Sequence, residues 1–174
     1  MRHQWQNNQT MSEKTADYGD RYGTYLVGPL IAAGQLIWDQ DNGISHVRAM
    51  AYTGLVTQVL KEGIGRRRPD GSNHVSMPSG HTSNAFATAT ALTYSYGYKM
   101  GMVAYPIATF VGLSRISDDK HWLSDTVAGA FIGIWLGRAS SYSTQELKSQ
   151  LETSWNFVPV IESGRQGFLL SVWF

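Results

Sequence analysis

Apolar residues in this chain gather in long stretches separated by short polar or glycine-containing breaks, a pattern that predicts helices. An apolar stretch from Tyr22 to Trp38 passes through Gly28-Pro29, and Pro29 suits a first helical turn, so a helix is expected from there to Trp38. Asp39-Gln40-Asp41-Asn42-Gly43 reads as a turn. Ser45 is expected to cap a helix running to about Ile64, with Val47, Met50, Ala51, Gly54, Leu55 and Leu60 approximating an apolar stripe. Residues 66–77 carry turn chemistry throughout and read as a loop. An Ala- and Thr-rich helix follows from Ser83 to Tyr94, with Pro78-Ser79-Gly80-His81-Thr82 leading into it. Gly97 to Gly101 breaks the pattern, and Met102–Leu113 resumes it with Pro106 near its start. After the polar connection 116–120, His121 is expected to begin a helix through Arg138, and a short helix is expected over Gln145–Leu151.

Near the end the period changes. Trp155–Ile161 and Phe168–Phe174 flank the glycine-containing stretch 162–167, a hairpin signal, and Phe168, Leu170, Val172 and Phe174 alternate on one face. The expectation is a mainly α chain in three parts: a polar lead over 1–20, a helical domain over 21–154, and a hairpin over 155–174 packed on that domain. No internal repeat or low-complexity tract interrupts it.

Composition narrows the picture. At 174 residues the chain can bury a core of its own. A net charge of +1 argues against a nucleic-acid binder, and the basic run Arg66-Arg67-Arg68 is short. The absence of cysteine excludes disulfides and thiolate metal sites. Eighteen glycines suggest close helix packing, in water or in a membrane. A spanning helix needs about 20 mostly apolar residues. The best candidates, Thr24–Trp38, Val103–Leu113 and Thr126–Leu136, are shorter or interrupted, and the mean hydropathy is −0.23. A soluble or membrane-peripheral chain is expected. The opening residues Met1 to Trp5 hold no apolar run, so no signal peptide is visible.

Three polar clusters carry the chemistry. Lys61 is followed after six residues by Arg68-Pro69, then comes Pro78-Ser79-Gly80-His81, then Ser114-Arg115 with His121 and Asp125 beyond. Lys61, Arg68 and Arg115 around one spot would repel unless an anion sat between them. Phosphate suits, because Arg offers bidentate hydrogen bonds and Lys a point charge. Ser79 and Gly80 at a helix N-terminus would add backbone N–H groups and the helix dipole. Taken singly, each feature has a plainer reading: Lys61 as a helix-end lysine, Pro-Ser-Gly as a cap, His74 as a solvated loop residue. An i, i+4 spacing places His121 and Asp125 on one helix face, within reach of each other.

These clusters resemble the three signature motifs of the type 2 phosphatidic acid phosphatase superfamily, which groups lipid phosphate phosphatases, bacterial acid phosphatases and vanadium haloperoxidases. The pattern Lys-x6-Arg-Pro, Pro-Ser-Gly-His, Ser-Arg-x5-His-x3-Asp is matched at every specified position between residues 61 and 125. The resemblance implies a helical bundle of the acid phosphatase and vanadium haloperoxidase type. It implies a phosphate cradle of Lys61, Arg68, Arg115, Ser79 and Gly80, with His121 as nucleophile forming a phosphohistidine. Asp125 would hold the other ring nitrogen of His121, and His81 would protonate the leaving oxygen and later activate water. The arrangement calls for no metal or other cofactor. The substrate would be a phosphorylated lipid, reached by peripheral membrane contact, or a small phosphomonoester. A periplasmic or other extracytoplasmic location is expected from the same likeness. Two rivals remain: a vanadium-dependent haloperoxidase, usually a much larger protein, and a phosphate-binding protein without turnover.

Overall fold

The computed structural model describes residues 27–152 and the strand residues 156–162 and 165–171, with side chains as far as Glu146. The polar lead expected over 1–20 lies outside the described residues. Five helices follow one another: α1 Val27–Trp38, α2 Gln40–Ile64, α3 Gly80–Tyr96, α4 Tyr98–Ser117 and α5 Leu123–Glu152. The strands β1 Asn156–Glu162 and β2 Arg165–Ser171 pair antiparallel, with Glu162 opposite Arg165 and Asn156 opposite Ser171. The chain divides into two compact units between Ser141 and Tyr142, inside α5. The first unit is mainly α, as expected, and the hairpin belongs to the second.

Several boundaries differ from the sequence expectation, each for a local reason. The turn expected at 39–43 shrinks to Asp39, whose N–H bonds to the Gln35 carbonyl while its own carbonyl accepts the Gly43 N–H. Gly43 sits inside α2 because a Cβ there would come within 2.5 Å of the Leu36 backbone nitrogen. Ser45 is therefore no cap; it is buried in α2, where its hydroxyl bonds to Ser141. The expected break at 97–101 is Gly97 alone, and Gly101 is a helical residue that lets Thr93 approach. Pro106 accordingly lies well inside α4 rather than near its start. The expected helix over Gln145–Leu151 is the continuation of α5. In the hairpin, β2 begins at Arg165 rather than Phe168.

The core is built from small residues. Ala32, Ala49, Ala87, Ala89, Ala91, Ala104 and Ala108 are buried together with Thr53, Thr57, Thr82, Thr90 and Ser83. Large apolar side chains point outward instead: Trp38 is 85% exposed, Ile37 76%, Met102 71% and Phe131 70%. Three glycines four residues apart seat α5 on α3. A Cβ at Gly129 would fall 2.6 Å from the Ser79 carbonyl oxygen, and one at Gly137 would fall 2.8 Å from Thr90 Cβ. At Gly133 it would overlap the Ser83 carbonyl oxygen. Backbone thus meets backbone along this seam, and its first contact falls on the Pro-Ser-Gly-His segment.

Candidate active site

Gly65 ends α2 in the left-handed conformation, at φ 58°, with its N–H on the Lys61 carbonyl. That reversal leaves Lys61 in the last helical turn and sends Arg66, Arg67 and Arg68 back across the helix end. The loop is then tied by the Ser76 N–H to the Arg66 carbonyl (2.9 Å) and the Arg68 N–H to the Asn73 carbonyl (2.9 Å). Lys61 Nζ donates to the Val75 carbonyl at 2.7 Å. The Nε of Arg68 is buried and has no acceptor among the described residues, which suits a guanidinium built to meet an anion.

Ser79, fully buried, precedes α3, and its N–H donates to the Asp125 carbonyl at 2.9 Å. Its hydroxyl accepts a hydrogen bond from Thr82. Gly80 opens α3 beside Lys61, whose Cε would lie 3.7 Å from a Cβ there. The first N–H groups of α3 lack intrahelical acceptors and carry the positive end of its dipole. His81, half-buried, follows in the same first turn.

The third cluster departs from the helix-face arrangement. His121 lies in the turn before α5, with its N–H on the Arg115 carbonyl at 3.2 Å. Its Nδ1 is 2.6 Å from the Ser76 carbonyl oxygen and 3.8 Å from Asp125 Oδ2, too far for a hydrogen bond to that carboxylate. The Nδ1 partner expected to be Asp125 is thus a backbone carbonyl. Asp125 instead sits in the first turn of α5 and accepts the Trp122 N–H at 2.9 Å, as a residue of a helix N-terminus does. It also accepts the Ser76 hydroxyl, and Arg66 Nη1 lies 2.6 Å from its other oxygen. Arg115 is buried at the end of α4, 3.2 Å from the Asp118 carboxylate. Asp70, bound by Lys120 at 2.8 Å, fastens the first loop to the third, and the Asp70 N–H bonds to the Asp119 carbonyl.

The electrostatics follow from this packing. Burial pushes His121 below its ordinary pKa; nearby Asp125 pulls it up, and Lys61 and Arg68 push it further down. The ring is therefore neutral near pH 7. Burial alone would raise Asp125, but His121, Ser76, the Trp122 N–H and Arg66 together hold it below the usual carboxylate range. Burial and then Arg68 bring Lys61 down to about 8, against the pull of Asp125.

Lys61, Arg68, Ser79, Gly80, His121 and Asp125 are thus joined by direct contacts or close charge interactions. His81 and Arg115 are held next to this group through the backbone, one just after Gly80 and the other under the His121 N–H. Ser76, Arg66 and Trp122 escaped the sequence reading. Arg66 was visible only as part of a basic run, and its guanidinium lies 5.5 Å from the Trp122 ring centre. Nothing in the letters separates Ser76 from any other loop serine. His74 is exposed, as a solvated loop residue would be.

The chain is similar to known proteins in sequence and in fold. A family model described as the PAP2 superfamily matches residues 42–149. A lipid A 1-phosphatase of Porphyromonas gingivalis is 38% identical over 117 residues, covering 66% of this chain and 26% of that protein. This chain therefore spans about a quarter of that relative's length. The crystal structure of Aquifex aeolicus LpxE superposes with a TM-score of 0.68 at 22% identity, over 76% of this chain and 88% of that one. A transmembrane PAP2 type phosphatidylglycerolphosphate phosphatase from Bacillus subtilis superposes with a TM-score of 0.59 at 23% identity, over 79% and 75%.

Proposed function

We propose that this chain, which belongs to the PAP2 superfamily, hydrolyses lipid phosphate esters through a phosphohistidine on His121. The observation that carries the reading is a buried His121 whose Nδ1 lies 2.6 Å from the Ser76 carbonyl oxygen, with the Asp125 carboxylate 3.8 Å away and Lys61 and Arg68 among the charges that lower its pKa. A carbonyl can only accept, so Nδ1 bears the proton and Nε2 keeps its lone pair. In the first step Nε2 bonds to phosphorus and the bond to the ester oxygen breaks, with its electron pair leaving on that oxygen. His81 gives that oxygen a proton. In the second step a water oxygen bonds to phosphorus, its proton passes to His81, and the P–N bond breaks back to Nε2. Lys61, Arg68, Arg115, Ser79 and the Gly80 N–H hold the non-reacting oxygens as charge builds, the service a metal ion gives elsewhere.

The lipid assignment has three supports. The relative is named for a lipid phosphate, and one structural neighbour is described as transmembrane. Large apolar side chains cover the outside of the helices over a core of small residues, as in helices that pack within lipid. Among the described residues no helix is long and apolar enough to cross a membrane. The third support is a cleft lined by Ile31, Asn84, Ala85, Thr88 and Ala108. Asn84, Ala85 and Thr88 follow His81 by three, four and seven residues, on the same face of α3. On this reading a leaving group protonated by His81 departs along this face of α3 toward Ile31, Ala85 and Ala108 of the cleft, where a hydrocarbon tail would fit.

Phosphate release from long-chain lipid phosphates in detergent, with chelator present, tests the reading. The expected preference over glycerol phosphate is about tenfold or more in kcat/KM. A denaturing alkaline quench should trap an acid-labile, base-stable phosphohistidine, and His121→Ala should abolish turnover. Undiminished hydrolysis by His121→Ala, or strict dependence on added Mg²⁺, overturns it.

A further inference from the structure

We propose that Ser76 is the positioning residue of the His121 nucleophile, fixing the ring through its carbonyl and coupling it to Asp125 through its hydroxyl. The inference rests on the reading of His121 as nucleophile. Ser76 is completely buried and all three of its polar groups are used: its N–H on the Arg66 carbonyl, its carbonyl on His121 Nδ1, its hydroxyl on Asp125 Oδ2. The carbonyl selects the tautomer with Nε2 bare. The hydroxyl keeps that carbonyl in place by anchoring its residue to a carboxylate that is itself fixed by Trp122 and Arg66. When Nε2 bonds to phosphorus the ring becomes cationic. Its Nδ1–H bond to the carbonyl then strengthens, and the Asp125 charge 3.8 Å away stabilises it without taking the proton. His121, Ser76 and the Trp122 N–H hold this carboxylate ionised, with a smaller contribution from Arg66, which lies 2.6 Å from its other oxygen and belongs to the same chain of contacts.

The groups that face the ring and its support are Lys61 from α2, Arg68 and Arg66 from the first loop, and Asp125 from α5. Ser76→Ala removes the hydroxyl and leaves the carbonyl. Asp125, relieved of one donor, is then free to turn toward Nδ1. The expected result is a kcat lower by roughly 10- to 100-fold with KM little changed, and an acid limb of the kcat/KM profile displaced to higher pH. Ser76→Ala and Asp125→Asn should be non-additive, the pair costing little more than Asp125→Asn alone. An unchanged kcat and acid limb in Ser76→Ala overturns the proposal, as does a loss confined to KM or full additivity. Nitrogen NMR of the His121 ring in the unaltered protein gives a second measurement that needs neither a folded variant nor turnover. Protonated Nδ1 with bare Nε2 supports the proposal, and the opposite tautomer overturns it. Activity surviving in His121→Ala would sink the functional reading instead, and the NMR result would still decide which ring nitrogen carries the proton.

Discussion

Lys61 is the residue whose charge the site itself unsettles. Burial and Arg68 bring its pKa down to about 8, so the ammonium is present below that pH and is lost as pH rises through it. Free-enzyme kcat/KM should therefore fall on the alkaline side near pH 8. Lys61→Arg keeps its charge far above that range, so its alkaline limb should move up in pH even if the planar fork fits less well and KM rises several-fold. A limb that stays put in Lys61→Arg assigns the ionisation to another group. The proposed cradle and both histidines can be named from the sequence because their identities and spacings form a set of three motifs. Their supports cannot. Ser76 and Asp125 are 49 positions apart and Arg66 and Asp125 are 59, and only the folded loops bring them together. The pair that spacing did suggest, His121 and Asp125, is real as a neighbourhood but not as a hydrogen bond, because the helix starts after the histidine.

Helices were legible from apolar runs, while their ends were read from glycines and turn residues, and that is where the errors lie. Gly43 and Gly101 mark close approaches between helices, which no single-chain pattern distinguishes from a turn. The seam of α5 against α3 makes the same point testable. Gly133→Ala would drive a methyl into the Ser83 carbonyl, so a loss of about 2 kcal/mol or more is expected. Gly54, in mid-α2, has open space where a Cβ would go, and Gly54→Ala should stabilise by about 0.5–1 kcal/mol. Denaturant unfolding of both variants checks the contrast; equal effects would mean that α5 does not seat on α3 as described. A second inter-helix device is His46, fully buried in α2 between Gln35 of α1 (2.6 Å) and Thr88 of α3 (3.0 Å). Burial lowers its pKa to about 4. Below its ordinary value of 6.5 the unfolded chain takes up a proton that the folded one refuses. Stability should therefore be full above pH 6.5 and fall by up to about 3 kcal/mol as pH drops toward 4. His121 shifts in the same direction, so His46→Gln should flatten the dependence only in part. A slope unchanged in His46→Gln excludes His46 as its source.

At the scale of the helical unit, sequence and structure agree that no described helix is long and apolar enough to cross a membrane, yet its large apolar side chains face outward. Mean hydropathy and interrupted apolar runs predicted a soluble or peripheral chain, because hydropathy sums residues without knowing which face they occupy. The fold sorts them the other way from a water-soluble domain, with Ala, Ser, Thr and Gly inside and Leu30, Ile37, Trp38, Phe131 and Trp135 outside. Burying small residues gives up much of the hydrophobic driving force that large ones would supply in water, at ~25 cal/mol per Å² of apolar surface. In lipid that term is absent between helices, and close packing of small residues holds them together instead. The outward surface is thus expected to be covered by acyl chains or detergent. Purified protein should bind vesicles of phosphatidylglycerol and phosphatidylethanolamine, and it should aggregate when detergent falls below its critical micelle concentration. Because the attraction is apolar, 0.5 M salt should not release it, whereas a merely electrostatic attachment would be screened. Replacing Phe131 and Trp135 together by Ser should weaken vesicle binding about tenfold or more while leaving hydrolysis of a soluble nitrophenyl phosphate intact. Binding that salt abolishes, or a monodisperse and active protein without detergent, would show that this apolar surface meets water.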